Sequence, residues 1–423
     1  MTERKRAFGQ LLRGWSQKFH WLHGLDLWNG IDLLGDAMRG DFTDFLSLSS
    51  LFTEEQRLIS ESARAFVEKE AEPLVVEAYR TEEFPLSLVH KLGEMGFLGA
   101  NLQGYGLAGL DPIAYGLLLK ELERCDSGLR SFASVQGALV MYPIHAFGSE
   151  AQKEKWLPML GSGEAVGCFG LTEADGGSDP GAMKTYAEKK GNEWILNGSK
   201  MWITNGNLAK IAVVWAKTVE GIRGFLVPTD TPGVNVVKMR NKLSLRASVT
   251  SELYFDQVRL SLDAILPKSD GLKSALSCLT QARYGIAWGV IGAAEACWEE
   301  VLEYTKNRVS FGKSLASKQL VQRKLASMLS DITKGQLLAL RLGQLKQEGA
   351  LHFTQVCMGK QNNCEMALQV ARSCRDILGA NGIMDEYKTM RHMCNLETVF
   401  TYEGTNDIHL LIIGAHVTGT PAF

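Results

Sequence analysis

The chain has 423 residues, 45% hydrophobic and 22% charged, with a formal net charge of −2. That length calls for about two or three domains; the near-neutral charge gives no reason to expect nucleic acid as a partner, and no apolar run reaches the roughly 18 residues of a membrane span. Eight cysteines without a CxxC pair read as reduced thiols, and eight histidines without HExxH or zinc spacing give no metal site.

Residues 1–23 set Arg4, Lys5, Arg6, Arg13 and Lys18 against one acid, Glu3, with Phe8, Leu11, Leu12, Trp15, Phe19 and Leu22 at helical spacing. Such a segment is a transit peptide, a membrane-surface arm or an accessory helix; Glu3 and the scarcity of serine count against the first. Residues 24–49 read as a connector, so 1–49 form an extension. At Thr53, Thr53-x-x-Gln56 has the form of a capping box, and Leu58, Ile59, Phe66 and Val67 follow at helical spacing. Asp111-Pro112 opens a further helix, with proline in the first turn where its missing N–H is harmless. An α-helical domain over 50–165 results.

From 166 to 270 the pattern turns to β. Trp194–Leu196 and Met201–Ile203 flank Asn197-Gly198, which predicts a two-residue hairpin. Ile211–Trp215, Gly224–Val227, Val234–Val237 and Leu253–Val258 are further short strands. Helical periods return after Gly271, near 272–306, 316–348, 353–378 and 406–416, and predict a helical bundle over 271–423. Gly161-x-Gly163-x-x-x-Gly167 misses dinucleotide spacing by one residue and follows a helical run, which removes it as a fingerprint.

Several stretches carry residue types suited to chemistry. In VFTYEGTNDIHLL (399–411), Glu403 is one carboxylate among apolar neighbours. It is either a solvated loop acid before a capped helix or a desolvated base of raised pKa. CFGLTEADGGSDPGA (168–182) offers glycines that let backbone approach a ligand, or only a flexible turn. In ELERCDSGLRSFASVQ (121–136), Glu123 and Arg130 are seven apart and share one face if the helix continues. Arg130 is either an internal partner of Glu123 or Asp126, or a fork for a ligand carboxylate.

FGLTE…GGSDP (169–180), WITN (202–205), RxxFG (308–312), LGANG (378–382) and YEGT (402–405), in this order, resemble the acyl-CoA dehydrogenase superfamily from about residue 50 to Phe423. The resemblance implies an α+β multidomain fold: an N-terminal α-domain, a middle β-domain and a C-terminal four-helix bundle, usually tetrameric. It implies FAD as cofactor. Phe169, Gly170, Leu171, Thr172 and Ser178, with Trp202, Ile203 and Thr204, would line the flavin, and Thr405, Asp407 and Phe423 would also contact FAD. Arg308, Phe311 and Gln319, with Asp376, Leu378, Gly379 and Ala380, would reach the cofactor of a neighbouring subunit. Glu403 takes the position of the base that removes the α-proton of an acyl-CoA, and hydride leaves the β-carbon for the flavin. The Glu403 N–H would serve as one donor to the thioester oxygen.

ELERxDSGxRS, SLRAS (244–248), ARYGIAWG (282–289) and TYEGTNDIH (401–409) resemble the branch of that family that oxidises glutaryl-CoA. There the position of Arg130, with Glu123, Ser131 and Ser134, holds the distal carboxylate, and Leu276, Arg283, Ser178 and Gly404 hold the CoA and thioester end. Oxidation to glutaconyl-CoA is followed by loss of CO2 and protonation to crotonyl-CoA, a step of lysine and tryptophan degradation. Electron-transferring flavoprotein is the implied acceptor, and the compartment is the mitochondrial matrix in a eukaryote or the cytoplasm in a bacterium. Ala174 and Asp175 depart from the Pro-Asn of the flavin loop, Leu129 from an aromatic residue, and the first 45 or so residues have no counterpart. Competing readings are a short-chain acyl-CoA dehydrogenase or oxidase, a glutaryl-CoA dehydrogenase that stops at glutaconyl-CoA, and a non-catalytic acyl-CoA-binding scaffold.

Overall fold

A computed structural model describes residues 42–422; the basic segment of residues 1–23, most of the connector and Phe423 lie outside the described residues. Helix α1 (Glu54–Phe66) starts on the expected capping box: Thr53 Oγ1 accepts from the Gln56 N–H at 3.2 Å, and Gln56 Oε1 accepts from the Thr53 N–H at 3.0 Å. A π turn over Val67–Ala71 carries it into α2 (Glu72–Thr81), and α3 (Ser87–Glu94) follows. Helix α4 (Pro112–Cys125) is capped by Asp111, which accepts from the Ile113 and Ala114 N–H groups at 2.8 and 3.1 Å. It is buried on almost every side, its charged Glu121, Glu123 and Arg124 included.

Helix α4 does not continue to Arg130. Asp126 is extended (φ −164°, ψ 139°), and its carboxylate accepts from the Gly128 N–H at 2.7 Å to start a new helix, α5 (Ser127–Ser134). The seven-residue spacing of Glu123 and Arg130 is therefore not two turns of one helix; the pair meets across a break. A π turn over Val135–Met141 leads on to α6 (Tyr142–Phe147) and α7 (Glu150–Gly161).

The middle of the chain is a seven-stranded sheet: β1 (Gly167–Gly170), β2 (Tyr186–Lys190), β3 (Glu193–Thr204), β4 (Ile211–Thr218), β5 (Gly221–Pro228), β6 (Val234–Lys238) and β7 (Thr250–Ser261). The order is β1-β4-β2-β3-β7-β6, with β5 also on β4. Strand β4 shows the period of two that decides its packing. Ile211, Val213 and Trp215 join a core with the 135–144 segment and Leu157, while Ala212, Val214 and Ala216 join a second core with Leu196, Phe225 and Leu253.

The predicted hairpin at Asn197-Gly198 is absent. Trp194–Leu196 and Met201–Thr204 lie on one strand, β3, and both flanks pair with β7. Asn-Gly serves as a bulge instead: Asn197 Oδ1 accepts from the Gln257 N–H at 2.8 Å, and Gly198 has φ 135° with Thr185 against it, where a Cβ would lie 2.6 Å from Oγ1. The tight turn falls earlier, at Gly191-Asn192 between β2 and β3. A second register shift, between Lys200 and Ile203, puts Trp202 at φ 62° and leaves it 56% exposed.

Beyond the sheet, α8 (Gly271–Asn307) runs to a small hairpin, β8 (Val309–Ser310) with β9 (Lys313–Ser314). Then come α9 (Gln319–Gln347), α10 (Phe353–Leu378), α11 (Lys388–Thr401) and α12 (Asn406–Thr418). Helix α8 packs on α10, α9 and α11 and also on α4. It approaches α4 through glycines: a Cβ on Gly292 would lie 1.9 Å from the Lys120 carbonyl oxygen, and one on Gly289 would lie 2.2 Å from Glu123 Oε2. Helix α11 was not among the predicted segments. Its buried face is Thr389, Arg391, His392, Asn395, Leu396 and Val399, four of the six polar, which hides the inward face from an apolar reading. Arg391 and Asn395 bond the Asp126 carboxylate at 3.0 and 2.9 Å, which ties α11 to the break before α5.

Candidate active site

The turn between α11 and α12 holds Tyr402, Glu403, Gly404 and Thr405. Thr405 Oγ1 caps α12 by accepting from the Ile408 N–H at 3.2 Å. Glu403 sits at φ 53°, a left-handed conformation uncommon for a residue with a side chain. Two buried cations hold the turn from inside. Lys360 on α10 donates to the carbonyls of Tyr402 at 2.7 Å and Gly404 at 2.6 Å, and Arg283 Nε on α8 donates to the Glu403 carbonyl at 2.7 Å.

With its backbone so held, the Glu403 carboxyl keeps a buried Oε2 without a hydrogen-bond partner. Loss of hydration raises its pKa above the ordinary carboxylate range, against the opposing pull of Arg130, Lys360 and Arg283. Burial takes Lys360 down to about 8, and burial beside Lys360 and Arg283 takes His409 down to about 3, which keeps that imidazole neutral.

Beside this turn lies a second cluster. Arg130 Nε meets Glu123 Oε2 at 2.6 Å, with both residues fully buried. Arg130 Nη2 donates to Glu123 Oε1 at 3.4 Å and to the Tyr402 hydroxyl, which also bonds Ser131 Oγ at 3.1 Å. Burial disfavours the guanidinium charge, but Glu123 and Tyr402 more than offset it and hold its pKa above the usual value. Arg130 Nη1, Ser127 Oγ and Ser134 Oγ are buried without partners. All three belong to α5 and keep donors free for a ligand. Gly289 leaves the room that the Glu123–Arg130 pair fills.

The structure thus gathers Glu403, Gly404, Arg283, Arg130, Glu123 and Ser131. Arg283 is turned onto the Glu403 backbone. Ser178 is exposed in the 171–183 loop, and Leu276 is 37% exposed on α8. Of the residues expected at a flavin, Phe169, Leu171 and Ile203 send their side chains into the two cores, leaving only backbone to meet a ligand. Gly170 is buried beside Lys200. Thr172, Thr204 and exposed Trp202 remain accessible, and a Cβ at Gly177 would touch nothing. Behind this edge, Lys200 donates to the Leu171 carbonyl at 3.1 Å and to Glu173 at 2.8 Å, which fixes the loop. Arg308, Phe311, Gln319, Asp376, Gly379 and Ala380 are exposed, Phe311 to 95%, whereas Leu378 is buried. Arg308 lines an open cleft of about 610 Å³ with Tyr304, Asn381 and Lys388. Asp407 is exposed in the first turn of α12.

The chain matches three family descriptions in succession: acyl-CoA dehydrogenase, N-terminal domain, over residues 53–164; middle domain over 168–258; and C-terminal domain over 269–418. The chain belongs to the acyl-CoA dehydrogenase family. It is similar to the human mitochondrial short-chain specific acyl-CoA dehydrogenase, 35% identical over 371 residues that cover 86% of this chain and 90% of the relative. A Bacillus subtilis acyl-CoA dehydrogenase is 36% identical over 374 residues, covering 87% and 99%. The crystal structure of a glutaryl-CoA dehydrogenase from Mycobacterium smegmatis in complex with FADH2 superposes with a TM-score of 0.90 at 50% identity, covering 90% of this chain and 99% of that one. The family's helical, β and helical domains are the three parts described above.

Sequence reasoning missed three residues of the site. Tyr402 stood in the quoted stretch but was given no role, although a phenol next to a candidate base was a usable signal. Lys360 and His409 gave none: one is a lysine inside a mixed helix, the other a histidine in an apolar one.

Proposed function

We propose that the protein is an FAD-dependent glutaryl-CoA dehydrogenase that oxidises and then decarboxylates its substrate, releasing crotonyl-CoA and CO2. The observation that carries this reading is Arg130, a fully buried guanidinium with an unpaired Nη1, bonded through Tyr402 to the turn that carries Glu403. A straight apolar tail would leave that nitrogen unsatisfied at considerable cost, whereas a distal carboxylate accepts from it. Ser127 and Ser134 lie three residues before and four after Arg130 on α5, one helical face, and add two hydroxyls.

Glu403 acts as the base. Its raised pKa suits it to take a weakly acidic α-proton near neutral pH. Once protonated it is the donor for the dienolate that remains when the bond from Cγ to the carboxylate breaks and CO2 leaves. The Glu403 N–H faces the thioester oxygen, where a preorganised donor contributes about 3–4 kcal/mol to the enolate-like transition state. FAD, when bound, would supply the acceptor for the hydride that leaves the β-carbon. The open edge at Thr172, Trp202 and Thr204, with Ser178, would line the isoalloxazine, Thr405 and Asp407 would also contact FAD, and Arg308, Phe311, Gln319 and 376–380 would meet the cofactor of a second subunit in a homotetramer. Electron-transferring flavoprotein is the acceptor that this family reading supplies.

A short-chain acyl-CoA dehydrogenase is the second reading. It is favoured by the ion pair itself: Glu123 already neutralises Arg130, and a neutral pair tolerates a neutral acyl tail. Purified FAD-loaded protein, glutaryl-CoA and an artificial electron acceptor decide the matter. Crotonyl-CoA with CO2 is expected; glutaconyl-CoA alone overturns decarboxylation, and turnover of butyryl-CoA without glutaryl-CoA overturns the substrate. Hydrogen peroxide formed in place of acceptor reduction would mark an oxidase.

A further inference from the structure

We propose that Lys360 is a positioning residue for the proton-abstracting turn: its ammonium clamps the Tyr402 and Gly404 carbonyls and so sets both the aim of Glu403 and the polarity of its N–H. The inference rests on the reading of Glu403 as the base.

Lys360 is fully buried, on the helix α10 that faces the turn, and its Nζ meets two carbonyl oxygens at 2.7 and 2.6 Å. A buried ammonium with no carboxylate at hydrogen-bond distance is costly, and uncharged acceptors offset that cost only if they are held in place. The two carbonyls bracket Glu403, and Arg283 takes the one between them, so three successive carbonyls are drawn into the protein. A trans peptide points its N–H opposite to its C=O. Drawing the Tyr402 carbonyl toward Lys360 therefore turns the Glu403 N–H away from it, and a cation on the oxygen polarises that N–H. The same restraint accounts for the left-handed φ of 53° at Glu403, a conformation that persists only where surrounding contacts over-determine it.

The charged and titratable groups around Lys360 are Arg283 from α8, Arg130 from α5, Cys357 and Cys364 from α10 itself, Tyr402 and Glu403 on the turn and His409 from α12. Among them Glu403 is the group that the proposed function uses as a base, and burial raises its pKa. Removing the Lys360 charge leaves a desolvated carboxyl with one less cation, so its protonation moves to higher pH.

The test compares Lys360→Met and Lys360→Arg in FAD-loaded enzyme, with rates normalised to bound flavin. Flavin reduction by glutaryl-CoA is followed by rapid mixing over a range of pH, alongside α-hydrogen exchange with D2O and melting temperature. Lys360→Met is expected to lower the reduction rate about 100-fold, the scale of losing one preorganised donor. It should leave KM within about threefold and move the acid limb to higher pH, while Lys360→Arg keeps the limb and recovers part of the rate. Wild-type rate and limb in Lys360→Met overturn the proposal; so does a loss of melting temperature with the limb unmoved, or failure of both variants to fold. Glu403→Gln in parallel separates the two readings. Full reduction there sinks the base, whereas wild-type behaviour of Lys360→Met beside an inert Glu403→Gln sinks only the clamp.

Discussion

Replacing Arg130 by glutamine removes two things at once, and the geometry says how to separate them. Glu123 is fully buried and has Arg130 Nε at 2.6 Å, so Arg130→Gln strands a carboxylate in the interior. Breaking such a pair from one side costs about 3–5 kcal/mol of stability. The same guanidinium, through Nη1, would hold the distal carboxylate of glutaryl-CoA. A loss of about 3–5 kcal/mol there, at about 1.4 kcal/mol per decade, lowers kcat/KM by roughly two to nearly four orders of magnitude. Pentanoyl-CoA, of equal chain length but neutral, should lose far less. The double variant Glu123→Gln/Arg130→Gln leaves neither charge of the pair stranded, so stability should return while the glutaryl-to-pentanoyl ratio stays low. Arg130→Lys should keep most of the stability and still lose the ratio, because one ammonium cannot serve Glu123 and substrate in the geometry of a fork. The measurements are kcat/KM for both thioesters and urea unfolding for all four proteins. A double variant that regains stability and keeps the wild-type ratio would refute the carboxylate role and leave Arg130 as the partner of Glu123 alone.

Glu403→Gln should retain FAD and fold while abolishing flavin reduction by glutaryl-CoA, with reduction at the wild-type rate as the contrary result. Because the Glu403 pKa is raised on folding, the native state binds the extra proton and stability falls as pH rises from the ordinary carboxylate value to the raised one. The glutamine variant should therefore melt above wild type at neutral pH, with the gap closing below about pH 4; a gap that widens on acidification would contradict the sign. In the wild type, the acid limb of the reductive half-reaction should lie above the ordinary carboxylate range, as a pH series of flavin reduction would show. Gly289→Ala puts a methyl 2.2 Å from Glu123 Oε2. It should cost about 1–3 kcal/mol in urea unfolding and lower glutaryl-CoA turnover more than pentanoyl-CoA turnover.

The elements best read from sequence were those whose signal is local. The Thr53 and Gln56 box and the Asp111 cap are made by residues within three positions of one another, and both form as expected. Asn197-Gly198 shows the limit of a local rule: the dipeptide takes positive φ readily, but whether it reverses the chain depends on the partner of each flank, and here β7 claims both. Helix α11 was invisible because its inward face carries Arg391, His392 and Asn395, and Asp126, the partner of Arg391 and Asn395, lies more than 260 residues earlier. Glu123 and Arg130 do meet, but by way of Asp126 breaking the helix rather than extending it. Glu403 could be singled out from its neighbours and its resemblance. What holds it could not, since Lys360 reaches the flanking carbonyls from 42 and 44 residues away in sequence and Arg283 reaches its own carbonyl from 120.

The break at Asp126 gives α5 a beginning of its own, eight residues long, closed at the far end by a π turn. The turn that carries Glu403 hangs from other helices, α8 and α10, and hydrogen-bonds to this short piece through the Tyr402 hydroxyl. In the proposed reading, the side chains that meet the acyl tail and the carboxyl that takes the α-proton thus stand on different pieces of chain that touch through one phenol. Retargeting such an enzyme from a charged acyl end to an aliphatic one would take changes in that eight-residue piece and at Glu123 on α4, and with Arg130 it would also take away one of the cations that act on Glu403.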